Sequence, residues 1–598
     1  MQDDSARLAR KPHGAHHIAP DCAGMDFWQA DASFRSLLTL YMPPDWLERM
    51  TPHFARLGAL AGGRLDALAR EADRHPPVLH ARDRFGRDED WIEYHAAYRE
   101  METIAFCEYG LQAMSHRAGV LGMPEAAPPL VKYAFTYLFV QGEFGIMCPV
   151  SVSDTSNFVL KRFGSAPLKA RLLDRMLSQD PATMLKGTQF MTEKAAGSDV
   201  GALETEAEPL GTGEDGLERF RIHGEKWFCS HADADVALML ARPRGAPAGT
   251  KGLALFALPR RTEDGSRNAY RIVRLKDKLG TRSMASGEIR FEGAIAYLVG
   301  EATQGFRQMM QQVNLSRLSH GVRAASMMRR CLNEALAAAR GRRQFGRPLA
   351  EIPLQRRQLL KILLPTEQAL SMYGLAAESM GRAEAGDAEG AALLRILTPV
   401  YKFRACRDNI RVASLALEVR GGLGYIEEWV MPRLARDAQI GTLWEGTSNI
   451  NALDVVTRAV AKDRAHEALA DALRKRLSGA PGVPPALRTR LEDALARATA
   501  FAGEVAADPR GEREVRRAAS ALYHAATAVL LAWEGATLGA RGGDARRLVM
   551  ARLVLDHRLS VADPLAREGG RASAGEVEDL LLGEAPVPLD RAQGLCAH

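Results

Sequence analysis

Cysteine is scarce in this 598-residue chain, and no two cysteines have the spacing of a metal or redox pair. The seven cysteines are Cys22, Cys107, Cys148, Cys229, Cys331, Cys406 and Cys596. Neither a zinc knuckle nor a disulfide framework fits an odd number of scattered residues. We therefore expect no metal site and a reducing compartment.

The chain also lacks a long apolar run and a strong charge of one sign. Its most apolar stretch, residues 521–533, contains His524 and is too short to span a bilayer. The N-terminal residues MQDDSARLARKPHGAHH are followed by no apolar segment, so we predict no signal peptide and a cytoplasmic protein without a membrane role. The net charge of +6 is too small to imply a nucleic-acid partner.

Two further absences narrow the fold class. We find no fixed-period repeat, and no Gly-x-Gly-x-x-Gly follows a strand pattern, which disfavours a Rossmann dinucleotide fold. With 46% hydrophobic and 25% charged residues, the composition is that of a globular protein of about three or four domains.

The hydrophobic periodicity divides the chain into four regions and predicts a mainly α fold with a central β-domain. Residues 1–180 have helical spacing, and residues 181–302 alternate polar and apolar side chains as strands do. Helical spacing returns over residues 303–460 and continues through an Ala- and Arg-rich region, residues 461–598. We predict that this last region serves oligomerisation or partner binding.

Five short clusters carry side chains suited to ligand binding, and each has a plain structural alternative. The loop at 190–200, FMTEKAAGSDV, offers hydroxyls and backbone N–H groups, but it could equally cap a helix. The segment at 224–230, GEKWFCS, has an aromatic pair beside a hydroxyl, as a core strand also has. Arginines at 342–348, RRQFGRP, can grip a pyrophosphate or compensate a helix dipole.

The last two clusters lie later in the chain. At 418–425, EVRGGLGY breaks a helix at glycines, either for close approach to a ligand or as a C-cap. At 444–450, WEGTSNI sets a carboxylate beside an aromatic ring, as in a desolvated general base or a helix N-cap.

Taken together, in this order and spacing, the five clusters resemble the acyl-CoA dehydrogenase family over residues 30–460. Within that family the sequence is most similar to the AidB-type branch of the adaptive alkylation response. The pointers are MTEK at 191–194, RLKDKLGTRS at 274–283, LTP at 397–399, LWEG at 443–446, Cys148-Pro149 and the additional C-terminal region. The resemblance implies a helical N-terminal domain, a small β-barrel or sheet domain and a helical bundle.

The resemblance also implies a reaction and a base. Glu445 matches the glutamate that removes the α-proton of an acyl-CoA thioester while the β-hydrogen leaves as a hydride to N5 of FAD. Its backbone N–H would help to polarise the thioester oxygen. Some relatives carry the base just before an arginine that matches Arg317, but that position is Ser316 here, so Glu445 is the one candidate.

The matching positions imply the binding residues. Those implied for FAD are Phe190, Met191, Thr192, Gly197, Ser198, Phe228, Cys229, Ser230, Arg342, Gln344, Phe345, Glu418, Gly421, Gly422, Trp444, Thr447 and Asn449. Those implied for the substrate are Ser198, Arg317 and Trp444. Three residues match positions that reach the FAD of a neighbouring subunit, namely Arg342, Gln344 and Phe345, which implies a dimer or tetramer. At Glu418 the family has a glutamine, so here a negative charge lies near the phosphates of FAD.

The leading hypothesis is therefore an FAD-dependent acyl-CoA dehydrogenase of fatty-acid or branched-chain metabolism that passes electrons to an electron-transferring flavoprotein. The alternative is an AidB-type flavoprotein that binds DNA or a protein partner and has vestigial activity. Residues 461–598 carry 20 basic and 19 acidic residues, whereas residues 317–361 carry 11 and 2. We favour phosphates of FAD and CoA over DNA for that basic run; DNA would contact Arg329, Arg330 and Arg340. A flavin oxidase of the nitroalkane type is disfavoured because its base is normally aspartate.

Overall fold

The computed structural model describes residues 18–561, 565 and 573–597, and only the backbone at residues 573 and 574. The N-terminal segment that we analysed for a signal peptide lies outside these residues. The described residues form nineteen α-helices and eleven strands, which confirms the prediction of a mainly α fold with a central β-domain.

Helices dominate up to residue 176, and they pack around a buried aromatic core. The helices of this region are α1 (Phe27–Ala30), α2 (Ala32–Tyr41), α3 (Pro44–Gly62), α4 (Arg64–Arg74), α5 (Ala96–Glu102), α6 (Pro129–Gly142), α7 (Met147–Phe163) and α8 (Ala166–Met176). Every residue of α6 is buried, so this helix lies at the centre rather than on the surface.

The N-terminal region also contains a hairpin that the helical interpretation of this region missed, formed by β1 (Val78–Arg82) and β2 (Asp88–Glu93). Asp90 lies at the start of β2 with a buried side chain that pairs with Arg267 at 2.5 Å and accepts the N–H of Ile272. Because these partners lie about 180 residues away, the hairpin is stabilised by tertiary contacts that local periodicity does not reveal.

The strands of the central region form a closed barrel. They are β3 (Gly187–Phe190), β4 (Glu206–Thr212), β5 (Glu218–Ser230), β6 (Val236–Pro243), β7 (Ala254–Pro259), β8 (Tyr270–Leu275) and β9 (Ser286–Leu298). The order is β3-β6-β4-β5-β9-β7, and β7 also pairs with β6, which closes the ring. The register between β5 and β9 shifts between Lys226 and Cys229, so a bulge lies in β5 at Trp227 and Phe228.

Long helices follow the barrel. They are α9 (Gly305–Gly341), α10 (Pro353–Glu384), α11 (Ala388–Arg420), α12 (Met431–Ile440) and α13 (Ser448–Leu453), with a small hairpin of β10 (Arg343–Gln344) and β11 (Arg347–Pro348) after α9. Helix α9 is buried along most of its 37 residues, because it contacts α6, α7, α10 and α11. It is therefore the central helix of the bundle.

The C-terminal helices are α14 (Ala465–Ser478), α15 (Pro485–Ala507), α16 (Val515–Ala540), α17 (Arg546–Val554), α18 (Ser573–Leu582) and α19 (Leu589–Leu595). Helix α16 is largely buried and is joined to the rest of the chain by polar contacts. Glu534 accepts hydrogen bonds from Tyr41 at 3.0 Å and from Ser371 at 2.6 Å. This region extends the core of the bundle, so much of its apolar surface is already covered within the chain. No helix among the described residues is long and apolar enough to cross a membrane.

Candidate active site

Glu445 lies on a tight turn between α12 and α13 in a backbone conformation that side-chain-bearing residues seldom adopt. Its φ is +54°, and Gly446 follows with φ +89°. Such a conformation persists only where surrounding contacts hold it, and it often marks a functional position. The carboxylate faces α9, and α13 begins three residues after Glu445, at Ser448.

Three donors from outside the turn hold its carbonyl groups. Arg317 Nε donates to the Glu445 carbonyl at 3.0 Å, and Lys402 Nζ donates to the Gly446 carbonyl at 2.5 Å. Asn451 Nδ2 donates to the Gly446 carbonyl at 2.8 Å and to the Thr447 carbonyl at 2.9 Å. These donors offset the strain of the turn and fix the direction of the Glu445 side chain.

The carboxylate itself is held by one hydroxyl. Ser316 Oγ donates to Glu445 Oε1 at 3.0 Å. Desolvation by the surrounding protein raises the pKa of Glu445 above its ordinary value of 4.5, although the Ser316 hydrogen bond and the charges of Arg317, Lys402 and Arg323 oppose the shift. A carboxylate of raised pKa in a half-buried position is a stronger base than one in water.

Arg317 is tied down by its own acid. Its Nη1 donates to Asp454 at 2.7 Å, and Asp454 also accepts from Arg395 at 2.8 Å. Asp454 thus largely neutralises the Arg317 guanidinium, while the Arg317 Nε donates its hydrogen bond to the Glu445 carbonyl. A substrate contact of Arg317 stays a prediction.

The barrel approaches the base through Cys148 at the start of α7. Burial raises the pKa of the Cys148 thiol, and the charge of Glu445 and the hydroxyl of Ser230 both act on that thiol. Ser230 ends β5, and Thr188 Oγ1 donates to its carbonyl at 2.6 Å. The end of β5 and the base are therefore both close to Cys148.

The two N-terminal clusters of the barrel are joined to each other. Trp227 donates its N–H to the Thr192 carbonyl at 2.8 Å. Glu193 is buried and paired with Lys226 at 2.6 Å, which fixes the loop that carries Gly197 and Ser198 at the surface. Phe190 and Met191 lead into this loop from the end of β3.

In the second cluster, residues 224–230, the side chains at and after the β5 bulge point to two different faces of the strand. Phe228 is 56% exposed and Ser230 is half-buried, whereas Cys229 is fully buried in the barrel core. Because neighbouring residues of a strand point to opposite faces, the side chains of Phe228 and Ser230 share a face that the Cys229 side chain does not reach. Of the three predicted FAD contacts at 228–230, the structure places two on the accessible face.

Trp444 lies in an aromatic stack on the other side of the base. Its ring is 6.4 Å from that of Phe144 at an interplanar angle of 6°, and 5.3 Å from His320. The next two residues of the cluster are farther out: Thr447 is exposed at the N-cap of α13, and the exposed Asn449 is near Arg516.

The remaining predicted FAD residues lie away from Glu445. Arg342, Gln344 and Phe345 follow the end of α9, about 38 Å along the helix from Ser316 at 1.5 Å per residue. Phe345 is 92% exposed, with φ +51°. These residues therefore cannot line the same pocket as Glu445 within one subunit.

The helix break after α11 is also at the surface. Glu418 Oε2 accepts a hydrogen bond from Gln358 at 3.1 Å, and Gly421 has φ +73°. A Cβ added at Gly421 or Gly422 would meet no atom within 4 Å, so the backbone there is open to a ligand.

Comparison with known proteins decides the family. Family models match residues 303–461 (acyl-CoA dehydrogenase, C-terminal domain), 188–294 (acyl-CoA dehydrogenase, middle domain) and 18–180 (adaptive response protein AidB N-terminal domain). The chain is 35% identical to the putative acyl-CoA dehydrogenase AidB of Escherichia coli, over 65% of this chain and 70% of that protein. It is 32% identical to acyl-CoA dehydrogenase family member 11 of Caenorhabditis elegans, over 71% and 69%.

The chain belongs to the acyl-CoA dehydrogenase family. It is accordingly an oxidoreductase, and the resemblance to the AidB-type branch is confirmed. The crystal structure of Caenorhabditis elegans ACDH-11 in complex with C11-CoA shares the fold with a TM-score of 0.85 and 26% identity, over 94% of this chain and 96% of that one. The additional C-terminal helices are part of this likeness, because the match covers nearly the whole chain.

Several residues of this acyl-CoA dehydrogenase site were not found from its sequence. Lys402, Asn451 and Asp454 position the Glu445 turn directly or through Arg317, and Ser316 was noted only as the absence of an alternative base. In the sequence, these residues stand out only as charged or amide side chains within an otherwise apolar helical stripe. The same pattern is also produced by an ion pair that merely stabilises the fold.

The first part of the basic run at 317–361 is buried, so it does not form the surface that the DNA alternative requires. Arg329 pairs with Asp31 at 3.0 Å and Arg330 with Asp66 at 3.1 Å, and both are buried. Arg340 is exposed and pairs with Glu584 at 2.6 Å. Two of the three arginines named for DNA are therefore unavailable because the bundle covers them.

Proposed function

We propose that the protein removes the α-proton of an acyl-CoA thioester with Glu445 and yields the trans-2-enoyl-CoA. The observation that carries this proposal is the Glu445 turn, which presents a carboxylate of raised pKa that Ser316 holds by a hydrogen bond. FAD, when bound, supplies the acceptor for the β-hydrogen, which leaves as a hydride. The α-proton goes to a Glu445 oxygen, so atoms and electrons balance.

The backbone at the turn supports a role in polarising the thioester. Among the described residues, the N–H of Glu445 donates to no protein acceptor. An N–H group held by a rigid turn and left without a partner is suited to a developing oxyanion, because the donor needs no reorganisation during the reaction. We assign it to the thioester oxygen.

The residues at the end of β5 fit the flavin ring. An exposed phenylalanine beside a half-buried hydroxyl gives an apolar face and a hydrogen-bonding group at its edge, and Phe228 and Ser230 supply both. The loop at 191–198 adds the hydroxyls of Thr192 and Ser198 and an open Gly197, where a Cβ would meet nothing within 4 Å. We assign Phe190, Met191, Trp444, Thr447 and Asn449 to the surroundings of the same ring.

The geometry supports a homo-oligomer in which one subunit completes the FAD site of another. Arg342, Gln344 and Phe345 are too far from Glu445 to act in the same subunit, and the exposed Phe345 ring would be covered by a neighbour. We assign three residues after α11 to the adenosine part of FAD. They are Gly421 and Gly422, whose backbone is open, and Glu418 with its carboxylate. We propose a dimer or tetramer.

Three finer assignments complete the proposal. We propose an electron-transferring flavoprotein as the electron acceptor and the cytoplasm as the compartment, in keeping with seven free cysteines. The stack of Trp444 on Phe144 narrows the pocket beyond the base, which favours short or branched acyl groups.

The alternative, binding of DNA with vestigial dehydrogenation, has less support. The cations it requires are partly buried, and the described part of the C-terminal region packs against the bundle. Retention on DNA at low salt that falls steeply as salt rises would support it.

A visible spectrum of the purified protein followed by anaerobic titration with acyl-CoAs of stepped chain length tests the proposed function. We expect a yellow protein whose flavin band is bleached by at least one acyl-CoA. A yellow protein that no acyl-CoA bleaches would overturn the proposal and favour the binding alternative.

A further inference from the structure

Arg323 is a buried cation without a carboxylate partner among the residues that the structure describes. The residue is 1% exposed, and its Nε and Nη1 have no hydrogen-bond partner. Its Nη2 lies 3.0 Å from the ring nitrogens of His320. Burial lowers the pKa of His320 well below its ordinary value, so that ring is neutral and does not compensate the guanidinium.

The other buried arginines of the described chain show how unusual this is. Each of them pairs with a carboxylate: Arg317 with Asp454, Arg329 with Asp31, Arg330 with Asp66, Arg420 with Glu334, Arg433 with Asp66 and Arg547 with Glu367. An unpaired buried charge is strongly destabilising, and proteins seldom keep one without a use for it.

Arg323 lies on the same face of α9 as the residue that holds the base. Ser316, His320 and Arg323 are spaced i, i+4 and i+7, so they share one face of α9. Ser316 holds Glu445, His320 contacts Trp444, and the Arg323 guanidinium is 5.6 Å from the Phe144 ring and 5.9 Å from the Trp444 ring. The rise along α9 between Ser316 and Arg323 is about 10.5 Å, which sets the guanidinium beyond the base.

The charges that surround Glu445 are also unbalanced. Arg317, Lys402 and Arg323 all act on its carboxylate, and of these only Arg317 has an acid of its own, Asp454. Lys402 is bound to the Gly446 carbonyl, which offers no negative charge. A second anion in this pocket would neutralise the surplus.

We propose that Arg323 binds a carboxylate at the far end of the acyl group, so that the substrates include CoA thioesters of dicarboxylic acids. The free Nε and Nη1 of Arg323 lie on opposite edges of the guanidinium, so each can donate one charge-assisted hydrogen bond to a carboxylate on its own side. The Phe144 and Trp444 rings lie together on one side of the guanidinium, where they exclude water from it. This inference rests on the proposed function for the position of the thioester.

The test compares matched pairs of ligands on the same protein. Each pair consists of an ω-carboxyacyl-CoA and the neutral acyl-CoA of equal chain length, from four to eight carbons. Dissociation constants come from isothermal calorimetry on the purified holoenzyme without oxygen. The ratio within a pair is the readout, because a change in the Glu445 pKa affects both members alike.

We expect the wild type to prefer the carboxylated member of at least one pair by about 10- to 100-fold, as a charge-assisted contact provides. R323M should abolish or invert the preference, R323K should keep part of it, and R340M on the exposed end of the same helix should leave it unchanged. R323M should fold, because it removes an unpaired charge, and its unfolding midpoint checks this. An absent preference, or one that R323M leaves intact, would overturn the inference.

The two proposals can fail separately. If no acyl-CoA bleaches the flavin, the proposed function falls, whatever the calorimetry shows. If neutral acyl-CoAs bleach it and no carboxylated partner binds more tightly, the dehydrogenase proposal stands and the role of Arg323 falls.

Discussion

The two halves of helix α9 use buried charge in opposite ways. In the C-terminal half, Arg329 and Arg330 meet Asp31, Glu367, Asp66 and Glu334, so that the bundle is joined to α2 and α4 by satisfied ion pairs. From its N-terminus to its midpoint at Arg323, the helix holds a guanidinium with no acid among the described residues and a serine, Ser316, that binds a carboxylate of raised pKa. Satisfied pairs stabilise the fold, whereas unsatisfied groups mark the place where a ligand completes the structure.

The largest expected effect is at the base. E445Q keeps the size and the hydrogen bond to Ser316 but cannot accept a proton, so flavin reduction by acyl-CoA should fall by at least ~10²–10⁴-fold. The flavin should stay bound, as its absorbance will show. E512Q, an exposed carboxylate of the C-terminal region, is the matched control, and full reduction in E445Q would remove Glu445 from its role.

The next effect is on stability and separates the two halves of α9 directly. R330M leaves Asp66 and Glu334 short of a buried partner and should lower the free energy of unfolding by about 3–5 kcal/mol. R323M should leave it unchanged or raise it, because no ion pair is lost. Urea denaturation of both variants gives the answer, and equal losses would show that Arg323 is structural after all.

A smaller effect is expected where the turn of Glu445 is held. N451A removes the donor to the Gly446 and Thr447 carbonyls and should cost about 1–3 kcal/mol in the free energy of unfolding. Because the turn loosens, the rate of flavin reduction should fall as well. Q29A, which removes an exposed amide in α1, serves as the control for the rate, and an unchanged rate in N451A would show that the turn does not depend on this contact.

The smallest effect is a shift in pH dependence. The base acts when ionised, so flavin reduction should rise with pH through the raised pKa of Glu445. S316A removes a hydrogen bond that lowers this pKa, which should move the profile to higher pH by roughly 0.7 unit, since such a bond is worth about 1 kcal/mol. Stopped-flow reduction across pH measures it, and a shift to lower pH would contradict the assignment of the Ser316 contact.

Sequence reasoning went furthest where information was local. The change from helical to alternating periodicity predicted the barrel between two helical regions, and motif spacing pointed to the family. It failed at the β1–β2 hairpin, because Asp90 is stabilised by Arg267 and not by its neighbours in sequence. It also treated Arg329 and Arg330 as surface charge, since a count of charges carries no burial.

Residue order and spacing were enough to establish the family, the mainly α architecture and Glu445 as the candidate base, because helical period, strand alternation and a five-part motif are all written along the chain. The sequence did not reveal how the charges pair, because several partners of α9, such as Asp31, Asp66 and Glu445, lie more than a hundred positions away along the chain. A buried arginine stabilises the core when folding places a carboxylate beside it, and it is left free to bind a ligand when folding does not. Within the described part of the chain, folding brings none beside Arg323, and that difference exists only in three dimensions.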